Sequence, residues 1–184
     1  MPVSDSDAVD IPLSGELDAL TDFYDATEAY LDDLSTADLV ESTSSVSDWS
    51  PAQHLYHIWR ANASMLKAAR LLASGRVDAE PARLSDAGRR VLREGRLPRG
   101  VAEAPEAVRP PDAPDRELLR ETALRSREKL DAVADASAEI READGGLEHP
   151  AWGVLTAPQW VRAARIHSEH HGAIVADILG HPSP

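Results

Sequence analysis

The sequence contains no cysteine, which excludes disulfides, cysteine-ligated zinc and a protein thiol nucleophile. Aromatic residues make up only 4% of the 184 residues, so the core must be built mainly from Leu, Ala, Val and Ile. No stretch approaches the roughly 20 apolar residues of a membrane span. The chain does not begin with a basic segment followed by an apolar run, so we expect no signal peptide. These absences predict a cytoplasmic protein that does not enter a membrane.

Positive charge is missing from the first third of the chain. Residues 1–59 hold 13 Asp and Glu, and the first basic residue is Arg60. Residues 60–184 hold 19 charges of each sign, so the entire net charge of −13 lies ahead of Arg60. Such a surface repels phosphate backbones, and we therefore predict no nucleic-acid partner. The simplest interpretation of this acidic excess is a solvated face that aids solubility.

Four segments carry apolar residues at helical spacing, and none shows the sustained alternation of a strand. They cover residues 13–34, 51–74, 115–141 and 157–179. Ser50 and Gln53 form a capping box around Pro51 at the start of the second segment, and Thr156 and Gln159 form another at the start of the fourth. The sequence therefore predicts an all-α fold, a four-helix bundle.

The connection between the second and third helices is much longer than the other two. It covers residues 75–114 and contains six prolines. We expect a short helix near residues 84–93, followed by an extended, mobile stretch. One long crossover is a known variant of a bundle. At this length the chain is most simply one domain spanning 1–184, with loose tails at 1–11 and 181–184.

Two histidines, His167 and His171, lie within the apolar stripe of the fourth helix. Steps of three and four residues place six side chains on one face: Trp160, Ala164, His167, His171, Ile174 and Ile178. Residues four apart are neighbours on a helix surface, so both imidazoles can reach one point. A metal ion would satisfy two buried rings at once. The alternative is a pair of core histidines bonded to backbone or water.

A third histidine would complete the ligand set of many catalytic zinc centres, which keep a further position open. The candidates are His54, His57, His149, His170 and His181. His170 points about 100° away from His171, so it cannot easily share its metal, and His181 lies in the tail. Helical periodicity mildly prefers His54, whereas small neighbours beside His57 leave room for a ligand sphere. The helical wheel does not decide between His54 and His57 as the third ligand.

Two blocks of the sequence resemble the DinB-like superfamily. In the first, residues 49–51, Trp-Ser-Pro, are followed by His57 eight residues after the tryptophan. In the second, residues 149–153, His-Pro-Ala-Trp-Gly, lead into the last helix with His167 and His171. The second block is most similar to a bacterial branch with a His-Pro-x-aromatic-Gly motif ahead of that helix.

The resemblance implies a four-helix bundle that carries a divalent metal on His57, His167 and His171. For three imidazoles we expect zinc or nickel. Members of the superfamily often form homodimers, so a homodimer is expected here. This chain departs from the branch at Ile174, where a Gln is usual three residues after the last ligand. A contact made by that Gln is therefore expected to be missing.

The function that these features predict is a metal-dependent enzyme acting on a small molecule. Relatives suggest a transferase that uses a low-molecular-weight thiol, and the same ligands would also permit hydrolysis. The stripe of His167 and His171 carries no carboxylate, so it offers no general base, and Glu169 lies on another face. We expect an open metal position that faces a cleft at the end of the bundle, with the middle connection as a lid. The competing hypothesis is a non-catalytic metal-binding bundle with a stress-response or binding role.

Overall fold

Within the described residues, 11–100 and 103–180, four long helices form the frame of this computed structural model. They are α1 (Leu13–Asp33), α3 (Pro51–Ala73), α5 (Arg116–Asp135) and α7 (Ala157–Leu179). Shorter helices lie in the connections: α2 (Thr36–Val40), α4 (Asp86–Glu94), a 3-10 helix (Glu106–Val108) and α6 (Ser137–Glu142). Helix accounts for 65% of the structure, which confirms the all-α prediction.

The four long helices pack around one apolar core, with α3 against α5 and α7 and with α1 against the same two helices. Each helix contributes fully buried side chains, for example Leu20, Ile58, Leu119 and Val161. Burying one such side chain stabilises the fold by about 1.5–3 kcal/mol. Each helix thus contacts two others, as in a four-helix bundle. Among the described residues, no helix is long and apolar enough to cross a membrane.

Capping boxes fix the starts of α3 and α7. The Ser50 hydroxyl accepts a hydrogen bond from the Gln53 backbone N–H, and the Gln53 side chain accepts one from the Ser50 N–H. Thr156 and Gln159 make the same pair of bonds ahead of α7. Both predicted boxes are therefore confirmed. Because they set where each helix begins, they also set which residues of α3 and α7 face one another.

The third predicted helix is divided in two. The apolar spacing predicts one helix to residue 141, but α5 ends at Asp135, Ala136 (φ −106°, ψ 27°) interrupts it, and α6 follows directly. Val133 and Ile140 are buried on either side of this break and lie seven residues apart, as they would in one helix. The apolar spacing therefore continues across the break and gives no sign of it.

A small antiparallel sheet lies where the sequence predicted no strand. Its strands β1 (Arg83–Leu84), β2 (Leu147–His149) and β3 (Gly153–Leu155) are arranged in the order β1-β3-β2. Strands of two or three residues are too short for alternation to appear in the sequence. Gly153 (φ +86°) sits opposite both Leu84 and His149, and a Cβ there would lie 2.3 Å from the Arg83 carbonyl oxygen. The sheet ties the long crossover to the segment just ahead of α7.

Much of the crossover follows a definite path across the helices. Helix α4 lies where a short helix was expected, and it ends at Gly95 (φ +69°). Further along, the Arg60 guanidinium donates to the Ala107 carbonyl at 3.3 Å, and the Gln53 amide donates to the Pro111 carbonyl at 3.2 Å. These bonds hold the segment against α3. Of the predicted tails, residues 1–10 and 181–184 lie outside the described residues.

Candidate metal centre

The rings of His57, His167 and His171 meet between α3 and α7. One nitrogen of each ring lies within 4.8 Å of the others. The Nε2 atoms of His57 and His167 are 3.0 Å apart. Nitrogens bound about 2.0–2.1 Å from a tetrahedral zinc are separated by about 3.3 Å. The observed spacing therefore suits three ligands of a single ion.

Helix geometry brings these rings together. His57 lies two turns into α3, and His167 and His171 follow one another on the inner face of α7. The predicted stripe of α7 is buried at both ends, at Trp160 and Ile178. Periodicity therefore located the α7 pair correctly on the inner face, whereas it did not choose between the histidines of α3.

A backbone carbonyl of the crossover orients His57. Its Nδ1 lies 2.8 Å from the Val108 carbonyl oxygen. A carbonyl can only accept, so Nδ1 carries the proton and Nε2 keeps its lone pair. That tautomer is the one in which Nε2 can bind a metal. Val108 is 51 residues away in the chain, and nothing in the sequence indicated this contact.

A chain of three hydrogen bonds orients His171. Its Nδ1 lies 3.0 Å from His54 Nδ1, and His54 Nε2 lies 2.9 Å from Ser47 Oγ. Ser47 Oγ also accepts from the Trp49 backbone N–H at 3.1 Å. Binding of a metal through His171 Nε2 requires the His171 proton on Nδ1; His171 then donates to His54 Nδ1, and His54 Nε2–H donates to Ser47 Oγ. His54 is therefore placed behind His171 rather than within the three-ring group.

The indole of Trp49 packs against this cluster. Its ring centroid lies 5.4 Å from that of His54, 5.0 Å from that of His57 and 6.3 Å from that of His171. An aromatic wall of this kind excludes water from one side of the rings and limits their rotation. This contact gives a physical reason for the tryptophan that precedes His57 in the motif.

Burial keeps the clustered rings neutral. It lowers the pKa of His167 and of His171 well below 6.5, and the neighbouring imidazoles lower both further. Burial also lowers the pKa of His57, although the hydrogen bond to Val108 acts in the opposite direction. Neutral imidazole is the form that binds metals. Within the described residues the buried Nδ1 of His167 has no hydrogen-bond partner, so no contact fixes the tautomer of this ring. The donor set therefore fits a divalent metal.

A cavity of about 400 Å³ opens beside the three rings, and all three line it. Its other walls come from α3, from the crossover and from the segment ahead of α7; they include Met65, Leu97, Pro98, Glu103, Trp152 and Trp160. This size and mainly apolar lining are typical of sites for small molecules. Of the described residues in the lining, Glu103 is the one carboxylate, and it is exposed.

The other predicted candidates lie in different surroundings. His149 and His170 line the cavity but are outside the three-ring group. His181 is outside the described residues. Glu169 is exposed and forms an ion pair with Arg165 at 2.5 Å, as expected for a solvated face. None of these residues joins the three clustered rings.

Two further positions behave as parts of the core. The Tyr24 hydroxyl lies 2.5 Å from Ser126 Oγ, and burial raises its pKa to about 12, so it acts as a packing group. Ile174, where the branch usually has Gln, is buried. Its side chain has no polar atom, so it cannot make the contact expected from that Gln.

Comparison with known proteins gives one match. The family model of the DinB superfamily matches residues 19–175, a range that includes all three clustered histidines and the whole crossover. No curated protein and no solved structure matches the chain.

Proposed function

The chain belongs to the DinB superfamily, and we propose that it is a metal-dependent enzyme whose ligands are His57, His167 and His171. The family and the three-histidine group together fit a metal-binding protein. The observation that carries the step from binding to catalysis is the cavity, because all three rings line it. Among the described residues, no fourth histidine or carboxylate belongs to the group. A substrate atom could therefore take a remaining coordination position.

A divalent metal on three neutral imidazoles supplies a Lewis acid that lowers the pKa of a thiol or water it binds. The surrounding residues prepare those imidazoles. Val108 holds the proton of His57 on Nδ1, and His54 Nδ1 lies where it can accept the Nδ1 proton of a metal-bound His171. Trp49 keeps solvent from the far side of the rings. The contact with Val108 thus leaves the Nε2 lone pair of His57 available to a metal.

The reaction we propose is group transfer involving a low-molecular-weight thiol, and hydrolysis is the second candidate. With no cysteine in the chain, a thiol nucleophile would come from a co-substrate. The described residues of the cavity wall include no lysine or arginine, which disfavours a phosphorylated substrate. The apolar side chains of Met65, Leu97 and Pro98 suit the carbon skeleton of a small organic molecule.

Elemental analysis of protein purified without a histidine tag tests the metal assignment. We expect one zinc or nickel ion per chain, and loss of that ion in the His167→Ala, His171→Ala double variant. His57→Ala should also lose the metal ion. His170→Ala is the matched control on α7, and it should keep the ion. Unchanged metal content in the double variant would exclude this site. Loss in His54→Ala but not in His57→Ala would show that the α3 ligand is His54.

Cobalt substitution tests the open position. Addition of 2-mercaptoethanol to the cobalt-loaded protein should produce a thiolate-to-cobalt charge-transfer band. A cobalt spectrum that no thiol alters would indicate a closed coordination shell, and the non-catalytic metal-binding bundle would then be the better description.

Four expectations from the sequence stay predictions. Elemental analysis decides between zinc and nickel, and sedimentation velocity tests the homodimer. Fractionation of the producing cells tests the cytoplasmic location. The absence of a nucleic-acid partner is tested by titrating labelled duplex DNA and RNA, where salt-dependent binding at micromolar concentration would contradict it.

A further inference from the structure

His149 lines the same cavity as the three clustered rings, but it is not one of them. It ends strand β2 and stacks on Trp152, with centroids 4.3 Å apart and planes 14° apart. The ring of Trp160 approaches from another side at 5.1 Å. Two indoles therefore hold the imidazole in one orientation at the cavity wall.

The backbone also fixes the tautomer of His149. Its Nδ1 accepts a hydrogen bond from the Ala151 N–H at 3.2 Å. An acceptor nitrogen has no proton, so the neutral ring carries its proton on Nε2. Burial lowers the pKa of His149 to about 4, so the ring is neutral at pH 7. His149 is therefore a hydrogen-bond donor through Nε2, and it has no free lone pair with which to act as a base.

The turn that carries His149 is clamped to α4. The Ser85 backbone N–H donates to the Trp152 carbonyl at 2.9 Å, and the Ser85 hydroxyl donates to the Ala151 carbonyl at 3.1 Å. A Cβ on Gly88 would lie only 2.3 Å from the same Trp152 carbonyl oxygen, which shows how closely helix and turn approach. The donor is thus positioned before any ligand binds, an arrangement that favours binding.

We propose that the Nε2–H of His149 binds an acceptor oxygen of the substrate, a carboxylate or a carbonyl, while the reacting end of that molecule lies at the three histidines. This inference rests on the proposed function, because it needs an open metal position in the same cavity. Among the described residues, the wall has no lysine or arginine to pair with such an oxygen. His149 is instead a neutral, oriented donor, and it selects small molecules with an oxygen acceptor at one end.

Two thiols that differ in the acceptor test this inference on the cobalt-loaded full chain. 3-Mercaptopropionate carries a carboxylate, whereas 1-propanethiol has the same carbon chain without it. We expect the wild type to bind 3-mercaptopropionate ~10- to 100-fold more tightly, the size of one hydrogen bond to a charged acceptor. His149→Phe, which still stacks on Trp152, should lose this preference and bind propanethiol unchanged. His149→Gln, which regains an N–H donor, should recover part of it.

The failures of the two proposals are distinguishable. If both thiols bind and His149→Phe keeps the wild-type preference, the inference about His149 is overturned and the open metal position stands. If neither thiol alters the cobalt spectrum, the proposed function fails.

A long-range ¹H–¹⁵N spectrum of the histidine rings in the zinc-loaded or metal-free chain tests His149 without cobalt. We expect the Nε2–H tautomer and a shift of its Nε2 resonance with 3-mercaptopropionate but not with propanethiol. An Nδ1–H tautomer in either form, or no shift in the zinc-loaded chain when the same thiol alters the cobalt spectrum, would overturn the inference.

Discussion

The Nδ1 atoms of His54 and His171 lie 3.0 Å apart, so a hydrogen bond between imidazoles joins α3 to α7 directly behind the three-ring group. His54 is only 2% exposed. His57 is buried as well, at 4% exposed. Helical spacing reports which side chains are buried and not which of them face a ligand, so it could not distinguish these two histidines. The structure gives the two histidines of α3 different positions, one in the group and one behind it.

We predict that His54→Ala weakens zinc binding without abolishing it. The variant removes the group that can accept the Nδ1 proton of a metal-bound His171, so the ring loses a contact that orients it. Loss of such a partner lowers metal affinity by about 10–100-fold. Competition with a chromophoric chelator measures the change.

Two variants complete this experiment. Ser47→Ala should also lower zinc affinity, but by less, because Ser47 is one hydrogen bond further from His171 than His54 is. His170→Ala should leave zinc affinity unchanged because His170 is outside the three-ring group. Equal affinities in the wild type and in His54→Ala would show that the His54–His171 bond does not prepare the ligand.

We predict that the metal-free protein loses stability as the pH falls from 6.5 towards 4. The pKa of His149 in the folded protein is about 4, below its unfolded value of 6.5. Between these values the unfolded chain binds the additional proton, so the free energy of unfolding decreases as the pH decreases. The stabilisation is complete above pH 6.5 and is lost through this window. Urea unfolding at pH 7.5, 6.0 and 5.0 measures it.

His149→Phe is the matched variant for this pH dependence. It removes the titrating ring and keeps an aromatic group on Trp152. Between pH 6.5 and 4, the free energy of unfolding of this variant should change less steeply with pH, by the slope that corresponds to about one proton. Identical slopes for the two proteins would mean that His149 does not have a lowered pKa in the folded state.

Two glycines should respond oppositely to alanine. At Gly88 the added Cβ meets the Trp152 carbonyl at 2.3 Å, and we expect a loss of about 1–3 kcal/mol in the free energy of unfolding. At Gly15, on the exposed side of α1, no atom lies within 4 Å, and we expect a gain of up to about 1 kcal/mol. Denaturant titrations of both variants provide the comparison. If Gly88→Ala left the free energy of unfolding unchanged, the turn would have to move away from α4 at no cost.

One acidic residue of the first third contradicts the interpretation of that region as wholly solvated. Glu16 is 4% exposed and pairs with both Arg162 and Arg165 of α7. We predict that Glu16→Ala costs about 3 kcal/mol, because it leaves the largely buried Arg162 without a carboxylate and Arg165 with only the exposed Glu169. Asp32→Ala should cost less than about 1 kcal/mol, since its ion pair with Arg120 is exposed on both sides. Similar costs for the two variants would contradict this assignment.

The sequence predicted the helices well because the relevant signals are local. Apolar spacing and capping residues lie within a few positions of one another, and α7 begins and ends at the predicted residues. The inner face of α7 with His167 and His171 follows from the same spacing. The break at Ala136 was missed because the apolar spacing continues across it.

The rest of the site depends on contacts between distant parts of the chain. The bond from His57 to Val108 spans 51 residues, and that from His54 to His171 spans 117. No periodicity indicates such a pairing, and strands of two or three residues leave no pattern of their own. Residue type alone makes His149 a candidate ligand, whereas its hydrogen bond from the Ala151 N–H leaves the proton on Nε2 and makes the ring a donor.

The bond between His57 and Val108 makes the crossover and the metal thermodynamically interdependent. Val108 belongs both to the cavity wall and to the contact that holds the His57 proton on Nδ1. If a bulky ligand displaced Val108, it would also remove the acceptor of the His57 Nδ1 proton and so lower the affinity of the site for the metal. By reciprocity, a metal bound at His57 would oppose the same displacement by an equal free energy. The dissociation constant of the metal should therefore change when Val108 moves, although Val108 is not a ligand of the metal.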